Sequence, residues 1–443
     1  MIARIGERLA RLAERWVPDP FVLSLVLSAI VAFVAVGFGS AVSALPVSER
    51  VGVLAKGWYA ELWNAGLMKF ALQMCIVLIT GHAIATTKFV QSALARIASM
   101  VTSPAVAAFS VAAVACIASL IQWGLGAIVG ALMAREMGRA FHAAKRPVHY
   151  PLLGAAGYAG FLVWHGGLSG SAPLKVAEPG HFLENTIGVI DVSRTLFGPL
   201  NLAVTLGLLV IVPVAFYWMT PKDEAHMRGY LPSDGESGMD DEPGPVWVSR
   251  AAAAVLFAFC GWLFWRDGVA AWNLDSINVL FFATGLAMHV GPMAYMAAVS
   301  RGIRGCAGIV VQFPIYFGIL GLLKSSGLIL DISEAFLSIA TPTTYPVWTF
   351  LSAGVVNFFV PSGGGQWAVQ GPVMVQNLDA LGIEPERVVM AMAYGDAWTN
   401  MLQPFWALPL LGIMELRARD IMGYTTLILC LTGPFIMAML VML

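Results

Sequence analysis

Charge is what this sequence has least of. Only 12% of its 443 residues are Asp, Glu, Lys or Arg, about half the share of an ordinary soluble domain, so water cannot be its main solvent. The charge present is balanced, 25 basic against 26 acidic side chains, which removes nucleic acid as a partner because that demands a basic face. Cysteine is sparse: Cys75, Cys116, Cys260, Cys306 and Cys430 stand singly in or beside apolar segments. They lack the close pairing of a zinc or redox site and read as small core residues. There is no HExxH zinc motif, and no nucleophile elbow frames Ser169 or Ser171, so an intramembrane enzyme would lack its machinery. No cofactor and no metal site is expected. Nor does a small-residue cleavage site follow the Arg-rich start, which argues against a signal peptide.

What the chain has in excess is long apolar runs, recurring at 21–42, 67–86, 195–218, 249–266, 277–295, 306–323 and 421–442. Runs of about 18 residues or more are membrane-span candidates, and no stretch between them is long enough for a soluble domain. Before the first run, Ile2, Ile5, Leu9, Leu12 and Trp16 recur at helical spacing among Arg4, Arg8, Arg11 and Arg15. That pattern predicts an interfacial amphipathic helix over 1–16.

Lysine and arginine near span ends set orientation. A cytoplasmic N-terminus also keeps Lys88 with Arg96, Arg135 to Arg146, Lys222 with Arg228, Arg301 with Arg304, and Arg417 with Arg419 inside, and leaves Lys56, Lys69 and Lys324 as exceptions. The C-terminus then falls on the periplasmic side. The polar segment 220–248, with Asp234, Glu236, Asp240, Asp241 and Glu242 among Pro, Gly and Ser, reads as a flexible cytoplasmic linker. It separates an N-terminal repeat, 1–219, from a C-terminal repeat, 249–443. Shifting the sequence on itself by about 239 residues pairs Gln73 with Gln312, Gly124 with Gly363 and Gly126 with Gly365; a shift of about 236 then pairs Tyr158 with Tyr394 and Pro173 with Pro409. The topology runs the two copies in opposite directions, a transporter signature.

Each repeat holds two interrupted apolar segments. In the first, 104–141 has both ends among cytoplasmic charges and a tip at Ile121 to Gly126, so it must enter and return, as a re-entrant hairpin or as two tightly joined short helices. Its counterpart, 343–382, has its tip at Pro361, Ser362, Gly363, Gly364, Gly365 and Gln366, where three glycines argue against a continuous helix. The segment 150–176 carries Trp164, His165, Ser169, Gly170, Ser171 and Pro173 in mid-span, and 387–413 carries Asp396, Thr399, Asn400, Gln403 and Pro404. Both should unwind there, and unpaired backbone at membrane depth belongs beside a cavity. Half-helix N-termini would then meet an anion. The expected fold is an all-α polytopic membrane protein of two inverted repeats, each with a re-entrant hairpin and a broken transmembrane helix.

Plainer readings exist for each residue. Ser169 and Gly170 could serve helix packing, His165 could bond a carbonyl, and Gln122, Gln366, Asn400 and Gln403 could glue helices. Asp396 is functional by default if it lies within a span, or could sit near the external interface. Their joint confinement to four symmetric breaks favours a shared site.

At these breaks the sequence resembles the short-chain fatty acid transporter family, the acetoacetate and butyrate permeases of the ion-transporter superfamily. The matching stretches are VPDPFVLSLVLS at 17–28, WGLGAIVGALMARE at 123–136, VHYPLLGAAGYAGFLVWHGGLSGSAPLKVAEPGHFLE at 148–184, FFVPSGGGQWAVQGP at 358–372 and GDAWTNMLQPFWALPLLGI at 395–413. The resemblance implies a secondary transporter of short monocarboxylates in a bacterial inner membrane. It also implies a fold similar to that of the superfamily's dicarboxylate symporters, with a dimeric scaffold and a moving domain. Their paired Ser-Asn-Thr hairpin motifs are absent here, and only Thr399 with Asn400 resembles part of one.

The expected substrate site comprises Gln122, Gly124, His165, Ser169, Ser171, Ser362, Gly363, Gly364, Gly365, Gln366, Thr399, Asn400 and Gln403, with His165 or Asp396 taking up the coupling ion, a proton or sodium. No fixed Arg or Lys belongs to it, which suits a small, singly charged acid; the nearest cation, Lys175, should snorkel outward. The expected partners are that carboxylate, lipid and a second copy in a homodimer. A sodium/proton antiporter and a dicarboxylate symporter are the alternatives; a passive channel would lack saturable counterflow.

Overall fold

In a hydrocarbon solvent every backbone N–H and C=O must be paired inside the protein, and the apolar runs accordingly fold as helices. The structure, a computed structural model, describes residues 2–16, 19–231, 244–271, 274–359, 363–376 and 378–443, and among these residues there is no strand. Seven helical segments among them, from Pro20–Phe38 to Ala418–Met442, are long and apolar enough to cross a membrane. The chain is an all-α, multi-pass protein.

One expected span is drawn differently, and one helix is additional. The run 277–295 divides into Leu274–Met288 and Pro292–Gly302, because Pro292 has no N–H to give the preceding turn and Gly291 is extended. A helix that hydropathy passes over, Val47–Leu62, packs along Ala307–Ser326. A methyl group on Gly321 would lie 2.3 Å from the carbonyl oxygen of Gly57, so the two backbones touch, and Lys324 pairs with Glu61 at 2.8 Å. Its charges Glu49, Arg50, Lys56 and Glu61 are what hid it.

The first interrupted segment is a pair of packed helices, Pro104–Ile121 and Trp123–Ala143, joined by the single extended residue Gln122. These arms have 18 and 21 residues and are not short, a correction to one of the two expected forms. Their contact uses small residues, since a methyl group on Gly126 would overlap Ser119 and one on Gly130 would lie 3.1 Å from Ala115 Cβ. Such close backbone approach is what holds helices together in lipid. The second segment has arms Tyr345–Asn357 and Gly363–Met374, of 13 and 12 residues.

The amphipathic helix forms at Ile2–Trp16 and lies on the last helix, Ala418–Met442, with Gly423 against the backbone of Leu9 and Ala10. Part of the expected linker is docked: Arg228 N–H donates to His149 Nδ1 at 2.9 Å, its carbonyl accepts from Tyr150 N–H at 2.9 Å, and its guanidinium meets Asp420 at 2.9 Å. The acidic part, 232–243, lies outside the described residues.

Candidate functional site

Both expected helix breaks are present. Tyr150–Tyr158 tightens into a 3₁₀ stretch, Ala159–Gly166, opens at 167–170 and ends in the short helix Ser171–Lys175. Pro385–Thr399 passes through 3₁₀ turns at Asn400–Leu402 and an extended Gln403 before restarting at Pro404, where a proline costs no hydrogen bond. Carbonyls freed from an α-helix need other donors. Asn201 Nδ2 donates to Gly166 at 2.9 Å. Tyr158 donates to Asn400 at 2.6 Å and Gln403 at 3.0 Å, and Thr425 donates to Met401 at 2.6 Å.

The two breaks meet at His165 and Asp396. His165 Nε2 lies 3.4 Å from Asp396 Oδ1, with the side chains 1% and 0% exposed. Asp396 therefore does not sit at an interface with water. It also lies inside the helix Pro385–Thr399, one turn before the break and not within it, because its α-helical backbone bonds are unbroken until Asn400. Ser171 N–H donates to His165 Nδ1 at 3.1 Å, so Nδ1 is the acceptor and the ring proton belongs on Nε2, facing Asp396. Trp164 stacks on the imidazole at 4.2 Å. The His165–Asp396 approach is not aligned as a hydrogen bond, and neither His165 Nε2 nor either carboxyl oxygen of Asp396 has a hydrogen-bond partner among the described residues. Buried groups of this kind are rarely left so without a ligand or ion to bind.

The second hairpin delivers glycine to this pair. A methyl group on Gly363 would lie 2.6 Å from His165 Cε1 and 3.0 Å from Asp396 Oδ2, and one on Gly364 would lie 4.0 Å from Ser171 Cβ. The segment is not one continuous helix, and Gly363, Gly364 and Gly365 form the first turn of its second arm, Gly363–Met374. At that position glycine's missing side chain is what allows contact with His165 and Asp396, and its weak helix propensity is tolerated. Ser362 lies outside the described residues.

The remaining expected residues divide into two groups. Thr399, Asn400 and Gln403 surround Asn357, whose Nδ2 donates to Asp396 O at 2.8 Å, Thr399 Oγ1 at 3.1 Å and Asn400 Oδ1 at 2.8 Å, while Gln403 Nε2 donates to Asn357 O. Gln366 faces into its hairpin, donating to Ala353 O and Gln370 Oε1. At the first tip, Gln122 Oε1 caps Leu125 N–H at 2.7 Å and Gly124 packs on the Gln122 side chain, so these two serve their own turn. Ser169 Oγ accepts from Trp123 N–H at 3.0 Å and ties that tip to the first break. Lys175 pairs with Glu178 at 2.6 Å near the surface.

Sequence reasoning missed Asn357, Asn201 and the role of Tyr158 and Tyr394. Asn357 sits five residues before Ser362 in an arm whose other polar side chains are hydroxyls, and a lone buried amide beside a broken tip is a signal that could have been used. Tyr394 donates to Asn201 Oδ1 at 2.9 Å, and the Asn201 amide serves Gly166, so Tyr158 reaches the break in the opposite half directly and Tyr394 does so through Asn201. No group of three His, Cys, Asp or Glu side chains forms a metal site among the described residues.

The family model described as "Short chain fatty acid transporter" matches residues 1–229 and 248–443. Two relatives, each named "Putative short-chain fatty acid transporter", are similar over nearly their whole length. The one from Escherichia coli (strain K12) is 38% identical with 98% of both chains covered, and the one from Haemophilus influenzae is 35% identical with 98% of both covered. Among solved structures, the Alcanivorax borkumensis YdaH transporter is 15% identical, with 95% of this chain and 98% of that one covered, at a TM-score of 0.42, too low to carry an argument.

Proposed function

This chain belongs to the short-chain fatty acid transporter family, and from that premise we propose that it carries a small monocarboxylate, such as butyrate or acetoacetate, together with a proton across a bacterial inner membrane. It is a multi-pass membrane transporter and not an enzyme. The observation that supports the coupling is how closely the first turn of Gly363–Met374 approaches the carboxylate, where a methyl group on Gly363 would lie 3.0 Å from Asp396 Oδ2. A helix N-terminus favours an anion. With Asp396 ionised, its own carboxylate is that anion. With Asp396 protonated, the position passes to the carboxylate of the substrate, next to the backbone N–H groups of the glycine turn and the Ser171 hydroxyl; Ser362 belongs to the same reading.

Exchanging one anion for another keeps the charge of the buried site constant, so that a second negative charge never enters a low dielectric. His165 links the exchange to the first break, because a proton on Nδ1 would displace the Ser171 N–H that now donates to it. A dicarboxylate would bring a second negative charge into a site where neither Lys nor Arg stands beside the His165–Asp396 pair among the described residues, which favours singly charged acids.

Elevator-type alternating access in a homodimer, with a cytoplasmic N-terminus and periplasmic C-terminus, completes this reading. The 13- and 12-residue arms of the second hairpin, about 20 and 18 Å at 1.5 Å per residue, fall short of the roughly 30 Å hydrocarbon core and favour re-entry there. The arms of the first hairpin are long enough to cross. The reciprocal reach of Tyr158 and Tyr394 supports an inverted repeat.

Uptake of labelled acetoacetate into proteoliposomes, driven by an inward proton gradient or by a sodium gradient, tests the coupling. The proton gradient should drive accumulation. Sodium dependence with indifference to protons would contradict the assignment and move the ion to the amide and hydroxyl oxygens around Asn357.

A further inference from the structure

Four arginines stand apart from the site just described. Arg135, Arg139, Arg301 and Arg304, with His82 and Glu415, line a cavity of about 710 Å³. Arg135 and Arg139, on the second arm of the first hairpin, share Glu136 at 3.5 and 3.3 Å. The Arg135 side chain is 9% exposed and its Nε has no hydrogen-bond partner among the described residues. Arg301 and Arg304 come from the end of Pro292–Gly302 and the following 3₁₀ turn, and among the described residues neither has an ion-pair partner. Among the described residues, Glu415 lines the cavity and Glu136 borders it through Arg135 and Arg139.

Three helices connect this cavity to the substrate site. Ala65–Ala85 presents Phe70 to an aromatic cluster and His82 to the cavity, Trp123–Ala143 presents Trp123 and then Arg135, and Pro404–Met414 presents Trp406 and then Leu411. Trp123, Trp164 and Trp406 lie 5.4 Å apart, pair by pair, between ring centroids, and Trp164 covers His165. From Trp123 to Arg135 the helix rises about 18 Å at 1.5 Å per residue. One seam therefore runs from the arginines to the tryptophans and ends at the His165–Asp396 pair.

We infer that the arginine cavity is an anion-binding mouth of the transport route, which takes the substrate's carboxylate as it enters or leaves, with the three tryptophans as the closed barrier behind it. This rests on the monocarboxylate reading. Guanidinium forks match a carboxylate in two-point contact, and a cleft lined by one sign of charge concentrates the opposite ion and speeds its arrival. The rival account is that the arginines only offset the partial negative charge of the helix ends at Thr86, Gly302 and Glu415.

Two arms of one experiment separate these accounts. Phenylglyoxal labelling of Arg301 and Arg304 in the full-length protein in nanodiscs, read by peptide mass spectrometry, should slow severalfold with butyrate. In transport, Arg301→Gln with Arg304→Gln should raise the half-saturating butyrate concentration about tenfold from one face of the membrane only, remove its salt dependence and spare the maximal rate. Arg304→Gln alone, at an exposed side chain, guards against a folding failure and should show part of the same shift. Protection by phosphatidylglycerol and not by butyrate would make this a lipid headgroup site and overturn the inference. No protection with unchanged kinetics, or an equal change from both faces, would also overturn it. Absence of butyrate uptake by the unmodified protein would sink the monocarboxylate reading, while the labelling arm would still decide whether the cavity holds a carboxylate.

Discussion

The hydroxyl of Tyr158 donates to the carbonyl of Asn400 at 2.6 Å, joining the intact start of one broken helix to the break in the other. The same single O–H is shared with the carbonyl of Gln403 at 3.0 Å, so Tyr158→Phe removes the donor that serves two freed carbonyls in an apolar interior. The expected loss is about 1–3 kcal/mol, seen as a lower melting temperature in detergent. Tyr394→Phe should cost less, because Asn201 keeps its own bonds to Gly166 and Leu196. Equal melting of Tyr158→Phe and the unmodified protein would contradict this role.

Gly363→Ala puts a methyl group 2.6 Å from His165, closer than carbon atoms approach without movement. Folded protein that has lost acetoacetate uptake is the expected result. Gly364→Ala meets its nearest neighbour at 4.0 Å and should transport normally. Full activity of Gly363→Ala would remove the glycine turn from the site.

The two N–H bonds of the Asn357 amide are shared among three oxygen acceptors. Asn357→Asp turns that donor into a carboxylate facing the same oxygens. It should therefore melt lower than Asn357→Ala, and both should lose uptake. The reverse order of melting would mean that the amide does not organise the second break.

His149 donates or accepts at both ring nitrogens, to Tyr424 at 2.8 Å and from Arg228 N–H at 2.9 Å. Burial, and then the charge of Arg228, lowers its pKa to about 4, against the opposing pull of Asp420. Between pH 6.5 and 4 the unfolded chain binds a proton at this residue that the folded chain does not. Its contribution, about 3 kcal/mol, is therefore complete above pH 6.5 and lost as pH falls toward 4. His149→Gln should flatten the acid limb of melting temperature against pH; an unchanged slope would show that the docked segment does not hold His149 neutral.

The breaks were legible in the sequence because Gly, Pro and polar side chains in mid-span advertise a helix that cannot continue. Val47–Leu62 was not, since its charges are paired through tertiary contacts such as Lys324 with Glu61 that hydropathy cannot register. The run 277–295 read as one span because apolar character carries across Gly291 and Pro292 even where the backbone does not. At the site, His165 and Asp396 were each identifiable as unusual, but their meeting depends on how two distant breaks pack. Asn357 and Asn201 gave less warning, being single amides whose purpose is set by carbonyls freed elsewhere in the chain.

The central claim is that a proton on Asp396 makes room for the substrate's carboxylate. Asp396→Asn mimics the protonated side chain permanently, so the decisive measurement compares acetoacetate exchange with proton-driven net uptake in proteoliposomes of this variant. Exchange should persist while accumulation driven by the proton gradient disappears. Proton-driven accumulation retained in Asp396→Asn would contradict the account.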